Sequence, residues 1–407
     1  MPNTTPKFDL TGQGFKRDPV PTLTRMREAG PLVEGRIPLL GTVWFATTHN
    51  AVTQLLKDTD HFLVDARKTG STRPMGLPWW MPKQIRLLAD NMLTNDDPQH
   101  RRLRQGVDRV FHRHNIDRYR PSIERVTDQL LLTLETSRDR DVVRHVAREL
   151  PLYVICDLLG LPQQDRPKFT RWMTAMSTLN SATSIFWMIP AINNLSRYLK
   201  TIFKLRRREP KDDLISALVT QDNHDNILTD DELLSMCFIL FIAGHETTTH
   251  LISGSILALL QNHNELEKLK SDWTRAPSAV EELLRYVSPV QMSKPRFVKT
   301  HTEFYGTRLK RGDRIMAMIA AANFDPQMFD SPEKLDLTRE KNRHVAFGQG
   351  PHLCLGLQLA RMEAQIVLQK LFTKFPNVKL AIPDEELRWT KRIGIRALTT
   401  LPLNLNG

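Results

Sequence analysis

The residue of this chain best placed for chemistry is Cys354, in the string FGQGPHLCLGLQLARME at residues 347–363. The loop half of that string carries two glycines and a proline, which let a backbone turn tightly and approach another group closely. Leu355, Leu359, Met362 and Ile366 then recur at steps of four, three and four, the spacing of one buried helix face. Cys354 sits where loop meets helix. Unpaired N–H groups and the positive end of the helix dipole bias a cysteine there toward thiolate. A thiolate held rigidly at a helix start is a nucleophile or a metal ligand; a buried cysteine acting as a small hydrophobe is neither. The nucleophile reading wants a base, for which His352 is a candidate. The zinc reading wants further ligands, and Cys156 and Cys237 lie in apolar helical runs without that spacing.

A second polar group interrupts an apolar helix. Thr229-Asp230-Asp231-Glu232 has the form of a capping box, and the pattern then runs without proline to Asn264. This predicts a helix over residues 229–264, about 50 Å long at the standard rise. Its middle, CFILFIAG, is apolar on all sides, which implies burial. His245, Glu246, Thr247, Thr248, Thr249 and His250 follow at once. Such a cluster is costly to bury unless a ligand or water satisfies it. A carboxyl and a hydroxyl in a dry pocket can relay protons. Alternatively, the side chains bond to carbonyls one turn back and Gly244 simply permits close helix contact.

Two charged pairs complete the set. Glu282 and Arg285, three apart, share a helix face and can pair. His100 and Arg104, four apart, share a face of a helix started by Asp97-Pro98. Pairs of this kind are common on helix surfaces and contribute little alone.

Together these motifs resemble the cytochrome P-450 family. FGQGPHLCLG fits that family's cysteine-ligand loop without a gap, AGHETT its oxygen-activating helix, and ELLR its E-x-x-R helix. NDDPQHRRLR resembles the helix whose His and Arg bind haem propionates in bacterial members. The motifs span residues 97–363 in family order, and with the flanking patterns the resemblance covers essentially the whole chain. It implies a mainly α fold, the cytochrome P-450 fold: one triangular helical domain over residues 1–407 with a small β-rich region. Cys354 takes the place of the axial thiolate to haem iron. With no C-x-x-C-H string the cofactor is expected to be haem b, iron protoporphyrin IX held non-covalently.

The resemblance also assigns roles. His100, Arg104, Ala243, Gly244, Arg296, Phe347, Gly348, His352, Cys354 and Gly356 match cofactor-binding positions. Glu246 and Thr247 match the acid and alcohol that deliver protons for O–O cleavage, with Glu where bacterial members often have Asp. Glu282 and Arg285 match a structural pair. Arg296 resembles either a third partner of that pair or a propionate contact, and the second is favoured. Trp79, Trp80, Met81, Leu179, Phe241 and Val290 are expected to line an apolar substrate pocket.

The function implied is a haem-thiolate monooxygenase. It would insert one atom of O2 into an apolar organic substrate by C–H hydroxylation or a related oxidation such as O-demethylation. A peroxide-driven peroxygenase and a non-catalytic haem-thiolate sensor are the alternatives; the acid–alcohol pair argues against both. The pocket composition suits a terpenoid, steroid, fatty acid, macrolide or aromatic ether alike. Electrons are expected from a separate acidic ferredoxin with its NAD(P)H reductase, docking near Arg101, Arg102, Arg109, Arg113 and Arg361.

Composition fits this picture. The 407 residues carry 57 Lys+Arg against 45 Asp+Glu, a net charge of +12. The cations are interleaved with acids in helical segments, and no nucleic-acid-binding motif is present. Three scattered cysteines suit a reducing cytoplasm. No run of 18 apolar residues and no signal-peptide pattern is seen, so a cytoplasmic monomer without a membrane anchor is expected.

The supporting elements are legible in outline. GPLVEG and GTVWFAT read as two strands joined by a turn, followed by a helix over residues 49–58. Residues 123–226 read as helical with breaks at Gly160–Pro162, Pro190 and Pro210. Strands are expected over residues 303–305 and 314–317, joined through a turn at 310–313.

Overall fold

The structure is a computed structural model describing residues 8–37, 40–70, 90–108, 111, 116–177, 184–220 and 228–406. Trp79, Trp80, Met81, Leu179, Arg109 and Arg113 lie outside the described residues. The chain is mainly helical and falls into two compact units. One comprises Met1–Ser71, Thr127–Ala147 and Thr247–Gly407, the other Thr72–Val126 and Arg148–Glu246. Seven helices position the residues of interest: α1 (Gln13–Arg17), α2 (His49–Lys57), α3 (Gln99–Asp108), α4 (Asp230–Ile239), α5 (His245–Gln261), α6 (Ala276–Val287) and α7 (Leu357–Lys374).

The first unit holds the sheet. Its strands are β1 (Leu32–Ile37), β2 (Gly41–Ala46), β3 (Phe62–Leu63), β4 (Arg296–Val298), β5 (Thr302–Phe304), β6 (Thr307–Leu309) and β7 (Arg314–Ala317). The main sheet runs β1-β2-β7-β4-β3, and only β2 and β7 are parallel. Alternation sorts its residues to two faces. Ala46, Ile315 and Ala317 pack with Val52, Leu55 and Leu56 of α2. Val43, Phe45 and Met316 pack with Phe15 of α1. The Thr48 hydroxyl accepts from Ala51 N–H at 3.3 Å and starts α2.

Three local expectations need correction. β5 pairs with β6, through Tyr305 (φ 50°) and Gly306 (φ 74°), rather than with β7. Two successive left-handed residues make the tight turn that the right-handed twist of a hairpin favours. Pro190 lies inside a helix, Ser184–Arg208, and does not end it. The long helix expected over residues 229–264 is α4, a π turn at Leu240–Gly244, and α5, which ends at Gln261. Its capping box forms as expected, with Thr229 N–H donating to Glu232 at 2.9 Å.

The apolar middle of that helix is less buried than its composition implies: Ile239, Leu240, Ile242, Ala243 and Gly244 are only half-buried. A π turn admits one extra residue, so the faces before and after it are no longer in register. In the first unit α5 approaches α6 closely at Gly254, where a Cβ would lie 2.4 Å from Val287.

Candidate functional site

The cysteine loop is built by its own backbone. Gly348 (φ 70°) and Gly350 (φ 72°) take left-handed conformations that L side chains resist. Gly348 N–H donates to Val345 O at 2.9 Å, Leu353 N–H to Gly350 O at 3.0 Å, and Cys354 N–H to Phe347 O at 3.0 Å. The loop is pressed against the C-terminal end of α2: a Cβ on Gly350 would meet Leu56 O at 2.4 Å. The same Leu56 carbonyl accepts from Arg296 Nη2 at 3.2 Å, so the buried Arg296 guanidinium stands beside the loop. Cys354 itself is half-buried, whereas Cys156 and Cys237 are fully buried. Burial pushes both of those thiols up, Cys237 to about 12, and leaves them inert. α7 begins at Leu357 with Gly356 as its N-cap, three residues later than the sequence pattern suggested, and buries Leu359, Met362 and Ile366 as expected.

Glu282 anchors the next layer. Arg285 grips it bidentately at 2.8 and 2.8 Å, and both side chains are fully buried. Glu282 also accepts from Arg339 Nε at 3.1 Å, Asn342 Nδ2 at 2.9 Å and Asp336 N–H at 3.0 Å. Arg285 donates further to the carbonyls of Asn323, Pro332 and Lys334 at 3.0, 2.7 and 2.9 Å. The third partner of the Glu282–Arg285 pair is thus Arg339; Arg296 is elsewhere. Asn323 ties this layer to the loop by accepting Val345 N–H at 2.8 Å.

Glu281, one residue earlier, holds the loop from its other side. It takes two bonds from Arg361 at 2.7 Å each and one from His344 Nε2 at 3.1 Å. Since His344 Nδ1 accepts from Ala346 N–H at 3.2 Å, Nε2 is the donor. Arg361 lies over the Phe347 ring, 5.0 Å from its centroid. Burial alone would raise the Glu281 carboxyl, but the bonds from His344 and Arg361 outweigh it and hold the group at about 2. Glu281, Arg339, Asn342 and His344 escaped the sequence reading. The only available signal was the polar run TREKNRH just ahead of the loop.

The second unit carries other expected residues. His100 is buried and its Nδ1 lies 3.3 Å from Asp97; burial lowers its pKa more than that carboxylate raises it. Arg104 donates to Asp108 at 3.3 Å. Glu232, besides capping α4, accepts from Arg102 and from Gln99 at 3.2 Å, which fixes α3 to the start of α4. His245 Nε2 bonds Arg148 O at 2.9 Å. A Cβ on Gly244 would sit 3.0 Å from Ile155, so close helix contact there is real. Glu246 is the last residue of this unit and Thr247, next to it on α5, the first of the other unit's final segment; both are half-buried.

Two expectations fare differently. Phe241 is fully buried and stacked on Phe169 at 5.6 Å, which places it in the core of its unit and not on a pocket wall. The docking arginines are already engaged: Arg101 with Asp97 at 2.9 Å, Arg102 with Glu232, and Arg361 with Glu281. Val290 is half-buried and bridges to Ile395.

The donor chemistry at Cys354 fits a haem. Among the described residues no group of three or more His, Cys, Asp or Glu could hold a bare metal ion. The site offers one thiol on a rigid loop with a buried guanidinium beside it. That set suits a metal that brings its own equatorial ligands and carries acidic substituents. Among the described residues no helix is long and apolar enough to cross a membrane.

Comparison with known proteins agrees with this chemistry. A family model described as "Cytochrome P450" matches residues 204–276 and 276–393. The polyketide biosynthesis cytochrome P450 PksS of Bacillus subtilis is 36% identical over 98% of each chain. Its solved structure superposes with a TM-score of 0.89, covering 98% of this chain and 100% of that one. P450BioI, solved in complex with a hexadec-9Z-enoic acid ligated acyl carrier protein, superposes at 0.86 with 31% identity, covering 96% and 99%. Myxobacterial cytochrome P450 CYP267B1, solved with myristic acid, gives 0.87 and 34%, covering 97% and 98%.

Proposed function

The chain belongs to the cytochrome P450 family and is a monooxygenase, and from that premise we propose that it oxidises an apolar acyl or polyketide-type substrate with haem b held by Cys354. The observation that carries the assignment of the ligand is the folded loop itself, where Cys354 N–H closes on Phe347 O and keeps the sulfur in one place. Bound haem supplies the electron-transfer and O2 chemistry.

The remaining steps belong to the protein. Arg296 and His352, with His100 and Arg104 carried over from the family pattern, are the cations proposed for the haem carboxylates. Phe347, Gly348 and Gly356 shape the loop around the sulfur, and Ala243 and Gly244, small residues carried over from the family pattern, would leave room for the bound cofactor. Glu246 and Thr247 hold and pass the protons that O–O cleavage consumes. The π turn just before them supports this role, because π turns inside α-helices occur frequently at functional sites. Val290 is proposed to touch substrate. Glu282 and Arg285 act through the loop and touch no reacting atom.

Electrons are proposed to come from an acidic ferredoxin. Docking would compete with Asp97 and Glu232 for Arg101 and Arg102, so reduction should be strongly salt-dependent. The acyl carrier protein bound by P450BioI makes a carrier-tethered acyl chain the first substrate class to try.

The dithionite-reduced protein with carbon monoxide should show the red-shifted Soret band of a thiolate ligand. Cys354→Ala should abolish that band, and Cys156→Ala should keep it; a thiolate band surviving in Cys354→Ala would sink the ligand assignment. Thr247→Ala should retain haem but divert most NAD(P)H-derived electrons to hydrogen peroxide. Unchanged coupling would remove Thr247 from the relay.

A further inference from the structure

The helix Ser184–Arg208 carries six cations and no acid, and all six fall in its last twelve residues. Arg206 is buried and is consumed by Asp213 and the Gly160 carbonyl, each at 2.7 Å. The other five, Arg197, Lys200, Lys204, Arg207 and Arg208, are exposed. At 3.6 residues per turn they leave the helix within about 100° of arc and along about 17 Å of its axis, which makes one basic stripe. We propose that this stripe is the docking surface for an acidic carrier protein that presents the acyl substrate on a tether. The proposal rests on the acyl-substrate reading above and adds the surface that receives the carrier.

The stripe works against the stability of its own helix. Arg197 and Lys200, Lys200 and Lys204, Lys204 and Arg207, and Lys204 and Arg208 are three or four residues apart, so like charges are neighbours on the helix surface. Contacts within the protein relieve little of this. Arg207 pairs with Asp230, and Arg197 donates to Asn194 Oδ1, a neutral acceptor. Lys200, Lys204 and Arg208 form no ion pair with any described residue. From residue 184 to 211 the only acid is Glu209, beyond the end of the helix. The helix dipole favours cations in the last turn, which accounts for Arg207 and Arg208 but not for Arg197, Lys200 and Lys204. The surface helix His263–Ser271 shows the ordinary arrangement, with Lys268 bonded to Glu265 at 2.5 Å and Lys270 to Glu267 at 2.8 Å.

Repulsion left unrelieved inside the chain is relieved by an anionic surface that arrives from outside. A straight row of cations at helical spacing matches carboxylates set along a facing helix. A lipid surface would also want apolar side chains to insert, and among the described residues of this helix Leu205 alone is both large, apolar and exposed. An electron donor must dock beside the haem. This helix packs chiefly on Arg166–Ser177, Leu214–Val219 and α4, none of which holds a residue assigned to the cofactor. A substrate carrier has no such constraint, because its tether covers the distance from docking surface to pocket.

The test uses holoenzyme as wild type and as the stripe variant Lys200→Glu, Lys204→Glu, Arg208→Glu. A control variant of equal charge, Lys299→Glu, Lys310→Glu, Arg311→Glu, changes exposed cations of the first unit. The probe is a fluorescent acyl carrier protein bearing a dodecanoyl pantetheine, its docking followed by anisotropy at low and high salt. Free dodecanoic acid is titrated separately by the spin-state shift of the Soret band, which reads the acyl-substrate premise without the carrier. The stripe variant should weaken docking about tenfold or more at low salt and lose most of its salt dependence, while the control stays near wild type. Binding of the free acid should be alike in all three. The proposal is overturned if the carrier fails to dock on the wild type, or docks equally on the stripe variant. Equal loss in the control also overturns it, because net charge alone would then be at work. So does a stripe variant that keeps the carrier but loses reduction by ferredoxin or binding to phosphatidylglycerol vesicles, which would give the face to an electron donor or a membrane. Absence of any spectral shift with free dodecanoic acid would sink the acyl-substrate reading instead, and stripe-dependent docking would still support the surface.

Discussion

Two corners of the first unit bury charge in opposite ways. Where α6 meets α7 and the cysteine loop, the buried charges are paired side chain to side chain, and Glu282 alone accepts five hydrogen bonds. Where α1 meets the chain after Val290 and the 394–396 segment, the charges are a buried lysine and a half-buried arginine held by carbonyl oxygens. Lys16 Nζ bonds Gln291 Oε1 at 2.7 Å and Ile395 O at 2.8 Å, while Arg396 donates to the carbonyls of Lys16 and Arg17 at 2.8 Å each. Burial lowers both, Lys16 to about 8 and Arg396 to about 10. The first arrangement is a rigid scaffold, because removing one partner strands the others in the interior. The second tolerates loss of a charge, because removing a cation there leaves neutral oxygens and no unpaired buried charge. The scaffold lies behind the sulfur; the tolerant corner borders the side proposed for substrate.

The largest expected effect tests the scaffold. Glu282→Ala leaves Arg285, Arg339 and Asn342 without their acceptor and should cost about 3–5 kcal/mol. Soluble holoprotein should fall sharply, and urea denaturation of what remains should give a much lower midpoint. Lys16→Met, read in the same assay, should stay folded and load haem. Equal losses in the two variants would erase the distinction.

A smaller effect separates Glu281 from Glu282. Glu281 and Arg361 are about one-quarter exposed, so Glu281→Gln should cost about 1–2 kcal/mol and keep the thiolate spectrum. Its pH dependence is the sharper readout. The Glu281 carboxyl is held at about 2, below its ordinary 4.5, so the folded state releases its proton more readily than the unfolded one. The resulting stability is complete above pH 4.5 and drains as pH falls from about 4.5 toward about 2. Glu281→Gln should flatten that part of the acid limb in a urea-midpoint series. An acid limb identical to the wild type would deny Glu281 its role.

How far each corner could be read from the sequence follows from the reach of its contacts. The loop glycines, the Thr229–Glu232 box and the Glu282–Arg285 pair act within a few residues of themselves, and each was legible as a local pattern. Arg339, Asn342 and His344 meet their acids across 57, 60 and 63 residues, and nothing local marks them. The partners of Lys16 lie 275 and 379 residues away, and nothing local marks it either. The π turn was hidden for a different reason: LFIAG has the same apolar composition whether its hydrogen bonds skip four residues or five. The pairing of β5 turned on Tyr305 accepting a positive φ, which few sequence rules would grant a tyrosine.

The smallest effect concerns the cation corner at alkaline pH, and its sign is opposite to that of Glu281. Desolvation, with Arg396 nearby adding repulsion, lowers Lys16 from 10.5 to about 8. Below pH 8 both folded and unfolded chains carry the proton, and the folded chain bears the full cost of shielding the charge. Between pH 8 and 10.5 the folded chain sheds the proton while the unfolded chain keeps it, so this group makes stability rise with pH. The neutral amine still has two N–H groups for Gln291 and Ile395, so α1 need not detach as it deprotonates. Lys16→Met removes the titration and should remove that rise, with a change at pH 7 of about 1 kcal/mol or less in either direction. Urea midpoints of wild type and variant at pH 7, 8, 9 and 10 measure it. A difference between them that stays constant across the series would mean that Lys16 does not titrate in the fold, and that its burial is relieved by water entering between α1 and the 394–396 segment.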